Sequence, residues 1–342
     1  MSKILNFCII TYMEKNGMLS YINNARVGVI GDFCVDIYWE IDMKKSELSL
    51  ETPHFPHPVV GERIYPGAAG NVAVNVSRLK PKRILACGVV GNDWRAAALK
   101  AALERENINT EGFVTDEGLM TNAYCKPMLH GISSVVYEDP RIDFENFKSI
   151  SDKTEEKLLL WLDSVSTELD VLCVCDQFRQ GIITERVREK VCSLAKSGLT
   201  VIVDSRYRAG LFKNVIIKPN EKECFLAVYG KTTNEKIEKE DAVQNAKKLS
   251  KMTESKVLLT LGEEGSAFID GESIAYCEAV KVSGELDVCG CGDAYLGAFA
   301  SMIAGGSTVE NAMKTGSAAA AFAIKSIGVT GNATRKDIEE RL

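Results

Sequence analysis

The chain has 342 residues, 46% of them hydrophobic, with 47 acidic against 41 basic side chains and a formal net charge of −6. That length fits one large α/β domain or two smaller ones, and it supplies enough apolar material for a sizeable core. The acidic balance excludes a broad basic surface, so nucleic acid is not an expected partner, while local phosphate sites stay open. Eleven scattered cysteines, none in a C-x-x-C pair, read as the reduced thiols of a cytoplasmic protein rather than as a disulfide framework.

In chain order, residues 1–20 carry a short apolar run broken by Glu14 and Lys15, too short to cross a membrane and without a convincing cleavage site. They are expected to form a loosely attached extension to a single domain over 21–342. ARVGVIGD, residues 25–32, is a β-branched run closed by Gly-Asp, as in a buried central strand that ends at a functional edge. IYWEIDM alternates apolar and polar residues and suits a half-exposed strand. The Pro-rich stretch TPHFPHPVVGERIYPG excludes a regular helix. AAGNVAVNVSRL then shows helical spacing, opened by Gly67.

From Lys82 the pattern alternates: strand RILACGVVG, helix DWRAAALKAALERE, a strand-rich stretch over 111–138, helix TEEKLLLWLDSV, strand DVLCVCD, helix ERVREKVCSLAKSG, strand TVIVD. It continues through VIIKPN, a helix near 236–252, KVLLTLG and GSAFID, then becomes helical over 292–304 and 308–325. Strands alternating with amphipathic helices specify an α/β fold with a mainly parallel central sheet covered on both faces. Segments at about 33–66 and 115–145 remain as a small β element interrupting the domain. Ligands of such open sheets bind at the carboxyl ends of the strands. Asp32, Asp176, Asp204, Asn220 and Gly262 all directly follow predicted strands.

DVCGCGDAYLGAF, residues 287–299, offers a metal or redox site on two cysteines, or an anion cradle formed by Gly290 and Gly292 ahead of a helix. A C-x-C pair needs further soft ligands, and the chain has only three histidines, two of them in the Pro-rich stretch, which weighs against metal. In a cradle, Asp293 would be ionised and able to accept a proton from a hydroxyl; as a bare stretch it equally reads as a helix N-cap. Asn220 and Glu223 in KPNEKE equally read as a capping box. TLGEEGS reads as a hairpin turn, and GSAAAAFAIKSIG as a packed core helix.

PGAAGNVAVNVSRL and LDVCGCGDAYLGAF resemble the two signature regions of the ribokinase-like, PfkB-type carbohydrate kinases, and VGVIGDFCVD, KPNEKE and LLTLGEEGS follow that family's order and spacing. The resemblance covers about residues 25–340. It implies a three-layer α/β/α domain with a β lid, and a cytoplasmic enzyme that uses ATP and Mg2+, with room for a monovalent cation. Asp293 would be the catalytic base, and the N–H groups of Gly290, Cys291 and Gly292 the anion hole. Asp32, Asp36, Gly67 and Asn71 would meet the sugar, with Asp36 the better candidate of the two aspartates for a purely structural role. Asn220, Thr260, Gly262 and Gly265 would lie on the nucleotide side, and Glu223 would hold magnesium through water. The family usually has threonine and alanine at Cys289 and Cys291, and glycine at Ala68; the thiols read as small buried replacements.

GDFCVDIYW, TNAYCKPM, RIDFEN and VDSRYR lean toward the heptose 7-phosphate kinases within that family. Lys126, Arg141, Arg179 and Arg206 are candidates for a phosphorylated acceptor. SELSLETP and DQFRQG depart from that branch, so the acceptor could equally be a sugar or another sugar phosphate. Bifunctional members carry a further cytidylyltransferase-like domain, not expected in a chain ending near residue 342. Family lids often mediate dimers, and a homodimer through the lid is expected.

Overall fold

Strands apolar on both faces need cover on both, and the computed structural model supplies it. The structure describes residues 17–131 and 133–342; residues 1–16, most of the expected extension, lie outside the described residues. Leu19 and Ile22 are already buried in a 3-10 turn, Leu19–Asn24. Core packing thus begins just inside the boundary expected at residue 20.

In chain order the strands are β1 Arg26–Gly31, β2 Phe33–Asp42, β3 Val59–Ala68, β4 Arg83–Cys87, β5 Val89–Val90, β6 Val114–Thr115, β7 Ala123–His130, β8 Tyr137–Glu138, β9 Ile142–Phe144, β10 Val171–Asp176, β11 Thr200–Ser205, β12 Ile216–Ile217, β13 Lys256–Thr260, β14 Ser266–Asp270 and β15 Ser273–Cys277. The helices are α1 Ala69–Arg78, α2 Trp94–Arg105, α3 Asp152–Val165, α4 Glu185–Lys196, α5 Glu221–Tyr229, α6 Lys239–Thr253, α7 Cys291–Ala304, α8 Val309–Ala323 and α9 Arg335–Glu339.

The central sheet has the order β15-β14-β13-β12-β11-β10-β1-β4. Every pair from β4 to β13 is parallel, and β14 and β15 add an antiparallel edge. Alternation of side chains along each strand divides the core. Val27, Val29, Cys173 and Ile202 face the layer of α1, α2, α7 and α8, whereas Ile30, Val174, Val201 and Val203 face α3 to α6. Helix α7 is buried on nearly all sides from Ala294 onward, as expected of a helix with no polar stripe. It packs against α1 and α8, so closely that a Cβ on Gly297 would lie 2.8 Å from the Asn75 Cβ.

The lid is a second sheet, β3-β2-β7-β8, with β9 also on β7. β2 and β7 pair in parallel although about eighty residues separate them, so this sheet draws on two segments of the chain. The second segment joins at Ala123 rather than near 115, because β6 pairs with β5 in a separate two-stranded sheet. Only Asp32 separates β1 from β2, and that residue is the passage from central sheet to lid. No described helix is long and apolar enough to cross a membrane.

The turn from β3 into α1 carries strain. Ala68 sits at φ +50°, ψ −119°, a region that only glycine enters freely, because the Cβ collides with the backbone. Such a residue costs on the order of 1–3 kcal/mol, against roughly 0.5–1 kcal/mol for the entropy a glycine would lose there. Ala68→Gly is therefore expected to stabilise the fold by about 1 kcal/mol. Urea unfolding checks this: a midpoint that stays put or falls contradicts it.

Candidate active site

Helix α7 starts on Gly290, whose φ is +78°. A side chain there is excluded twice, by that conformation and because its Cβ would lie 2.9 Å from the Thr330 methyl group. The Asp287 carboxylate pins the loop from below, accepting the N–H groups of Cys289 at 2.9 Å and Gly328 at 3.0 Å. The Cys291 N–H donates to the Val288 carbonyl at a long 3.3 Å. The Gly290 and Gly292 N–H groups have no acceptor among the described residues. Two free amides at the positive end of a 14-residue helix make an anion cradle.

Asp293 lies in the first turn of α7, a partly exposed residue whose carboxylate is withdrawn from solvent. Burial pushes its carboxyl up to about 7, and the nearby Asp204 carboxylate pushes the same way. The Lys218 ammonium and a hydrogen bond from the Asn71 side chain oppose both. Lys218 is itself buried and paired with Asp204 at 3.0 Å. Burial works against its charge, but Asp204 and Glu223 outweigh it and keep it protonated above the ordinary lysine value. A Cβ on Gly292 would stand 3.7 Å from the Lys218 Nζ, so this ammonium lies against the cradle.

On the lid side, Asp36 faces Tyr124 across the β2–β7 pair. Burial raises its carboxyl to about 6, against the pull of Lys126 and Arg141. Gly67 leaves the room: a Cβ there would lie 2.7 Å from an Asp36 oxygen and 2.6 Å from the Cys34 sulfur. Lys126 donates to the Tyr38 hydroxyl at 3.2 Å, and Arg141 lies 4.1 Å over the Tyr124 ring while paired with Asp143. Arg206 lies within electrostatic reach of Tyr124 and Glu223, and Arg179 stacks 4.6 Å over Tyr207. The structure thus brings Asp36, Gly67, Asn71, Lys126 and Arg141 to one side of Asp293.

Asp32 reverses the expected order of the two aspartates. Its carboxylate accepts the N–H groups of Gln177, Phe178 and Ile182, each at 2.8 Å, and the absence of a side chain on Gly181 makes the contact possible. Two of these N–H groups fall on Oδ2 and one on Oδ1, so Asp32 holds the 177–182 loop and keeps acceptor capacity on Oδ1, while the Asp36 oxygens stay available. Arg208 fixes the same loop from the other side. Its guanidinium donates to the buried Asp176 at 3.0 Å and to the carbonyls of Phe178 at 2.7 Å and Arg179 at 3.0 Å.

On the opposite side of Asp293, Asn220 and Glu223 do form the capping box of α5. The Asn220 Oδ1 accepts the N–H groups of Lys222 and Glu223, and the Glu223 Oε2 accepts that of Asn220 at 2.9 Å. The second oxygen of Glu223 remains open; burial, then Asp204, raise this carboxyl to about 6. Thr260 bridges to Asn220, and Gly262 and Gly265 form the 3-10 turn between β13 and β14. A Cβ on Gly265 would lie 2.1 Å from the Cys277 carbonyl oxygen. Gly316 falls in mid-helix against the Tyr295 ring, whose hydroxyl bonds Ser266 at 2.8 Å. The alanines Ala318, Ala319, Ala321 and Ala323 are core residues of α8.

The cysteines divide. Cys291 is half-buried, and burial pushes its thiol up to about 11. Cys289 is exposed, not the buried replacement expected; its backbone N–H is bonded to the Asp287 carboxylate. No group of three His, Cys, Asp or Glu that could hold a metal occurs among the described residues. Lys218, Asp204 and Arg208 were not assigned roles from sequence. Lys218 stood inside the KPNEKE motif and Arg208 inside VDSRYR, but only burial shows which lysine or arginine is not a surface charge.

A family model described as pfkB family carbohydrate kinase matches residues 29–336. The bifunctional protein HldE of Gluconobacter oxydans is 29% identical over 334 residues, covering 95% of this chain and 66% of the relative. That of Hyphomonas neptunium is 28% identical, covering 93% and 63%. The chain thus spans just under two thirds of the length of these curated relatives. Among solved structures, phosphofructokinase-2 from Escherichia coli in complex with fructose-6-phosphate superposes with a TM-score of 0.69 at 18% identity, covering 93% of this chain and 98% of that one. Ribokinase from Arabidopsis thaliana, complexed with ribose and ATP, gives 0.66 at 20% identity, covering 93% and 98%. These two likenesses show the fold.

Proposed function

The chain belongs to the pfkB family of carbohydrate kinases, and from that premise we propose that it transfers the γ-phosphoryl group of ATP, with magnesium, to a hydroxyl of a sugar or sugar phosphate. The observation that carries this reading is Asp293: a carboxylate at about pKa 7, beside two free amides of a helix N-terminus and a buried ammonium. A base with that pKa takes a hydroxyl proton near neutral pH. The Gly290 and Gly292 amides and Lys218 are aimed where charge develops on the phosphoryl oxygens. Phosphoryl transfer asks for such positioning more than for covalent chemistry.

Magnesium fits the oxygen donors present. The open oxygen of Glu223, reached through water, suits an ion that keeps much of its hydration shell and relies on substrate phosphates for the rest. When bound, it neutralises charge on the nucleotide phosphates. The lid excludes water from the acceptor hydroxyl. For the acceptor we propose a heptose 7-phosphate, phosphorylated at its anomeric hydroxyl. Support comes from the HldE relatives and from Lys126 and Arg141 beside Asp36.

The direct test is acceptor-dependent ADP release from MgATP across free hexoses, pentoses, hexose phosphates and heptose 7-phosphates, with products identified by 31P NMR. One strong acceptor is expected, and Asp293→Asn should lower kcat about 10²–10⁴-fold while leaving ATP affinity near its original value. Ligand binding without turnover across the panel, or near-normal turnover by the mutant, would overturn the reading.

We also propose a homodimer through the lid. Phe55, Val59, Val60, Val135, Tyr137 and Ile142 are exposed there, and open apolar strand surface is a liability unless covered. Sedimentation velocity should give a dimer that dissociates in a Val60→Glu, Ile142→Glu double variant; a monomeric native chain contradicts this.

A further inference from the structure

The amino ends of the strands, opposite the catalytic edge, carry an open groove of about 1140 Å³ that the kinase reading does not use. It is formed by the 79–82 loop between α1 and β4, the last turn of α2 and the start of α9. Seven cationic side chains and two carboxylates line it, in a chain whose net charge is −6. Such a local reversal of sign focuses the field on whatever enters.

Not all of these cations are free. Arg78 is paired with Glu106 and Arg83 with Glu168. Arg335 donates to the carbonyls of Leu79 at 2.6 Å and Lys80 at 3.0 Å, so it shapes the loop. Lys80, Lys82 and Arg105 are exposed and have no carboxylate partner among the described residues. Lys80 adopts φ +51°, a left-handed conformation that glycine or asparagine would hold with less strain.

We propose that this groove is a second anion site that takes a small polyphosphorylated molecule of nucleotide size. The volume exceeds what one phosphate needs and lies just above the range of about 300–1,000 Å³ for small-molecule pockets, as an open groove allows. The charges converge on one groove rather than running as a stripe, which favours a compact polyanion over a nucleic acid. Pro81 and Ile84 add a small apolar platform within it. Arg78, Arg105 and Glu106 also line a smaller cavity that reaches Asn71 and Thr330, so the groove opens toward the catalytic side at one end, while Lys80 and Lys82 lie past the end of α1 remote from Asn71.

The probe is inorganic tripolyphosphate, titrated calorimetrically into the full chain with the catalytic cleft saturated by a non-hydrolysable ATP analogue and magnesium in matched excess. One additional site is expected. A Lys80→Glu, Lys82→Glu double variant, shown folded by circular dichroism, should bind tripolyphosphate at least tenfold more weakly with analogue affinity unchanged. Absence of binding once the cleft is filled, equal binding by the variant, or binding only of an oligonucleotide offered in place of tripolyphosphate would each overturn the proposal.

Discussion

The ionisation of Asp293 governs the rest of the site. Taking a carboxylate out of water raises its pKa, and placing Asp204 nearby raises it again. Left unopposed, these two effects would leave the group protonated and useless as a base. Lys218 and Asn71 pull the other way, and the outcome, about 7, leaves a substantial ionised fraction at neutral pH while keeping real affinity for a proton. Lys218 can hold its charge in the interior only because Asp204 is 3.0 Å away, since an unpaired buried ammonium would shed its proton instead. The acid that raises the Asp293 pKa is thus also the partner that keeps the opposing cation charged.

A second constraint acts at Asp32. A buried carboxylate that accepts three backbone N–H groups satisfies itself and a loop that would otherwise have orphaned donors. Because Asp32 alone joins β1 to the first lid strand, the same residue couples the 177–182 loop to the root of the lid. Arg208 completes the arrangement by taking two carbonyls of that loop while neutralising Asp176. This side of the site is therefore built around a loop fixed at both ends, with Asp36 and Lys126 on lid strands and Arg141 just before β9.

Much of this was legible in the sequence. The alternation of apolar strands with amphipathic helices gave the parallel sheet, because strands buried on both faces have no polar positions to spare. The Gly-x-Gly-Asp stretch announced the cradle, since only glycine tolerates φ +78° at Gly290. What periodicity does not carry is which oxygen of a carboxylate is occupied. Asp32 and Asp36 look alike as G-D-x-x-x-D, and only the fold shows that the first holds three backbone amides and the second, among the described residues, none. Lys218 was hidden for a similar reason: a lysine in a KPN motif looks solvent-bound until β11 sets Asp204 against it. Likewise Cys289 could not be read as exposed from its neighbours, because the loop that carries it is tied through Asp287 to Gly328, about forty residues away.

The measurement closest to the central claim is the pH dependence of kcat/KM for phosphoryl transfer, in the native chain and in Lys218→Met. This parameter reports ionisations of the free enzyme. A base whose folded-state pKa is raised works only above that pKa, so activity should fall as pH drops through about 7. Replacing Lys218 removes a downward pull on Asp293 while Asp204 stays in place, so the acid limb should move to higher pH. A flat profile between about pH 5 and 8, the range of a histidine-like or raised-carboxylate titration, or a limb unmoved by the substitution, would contradict the account.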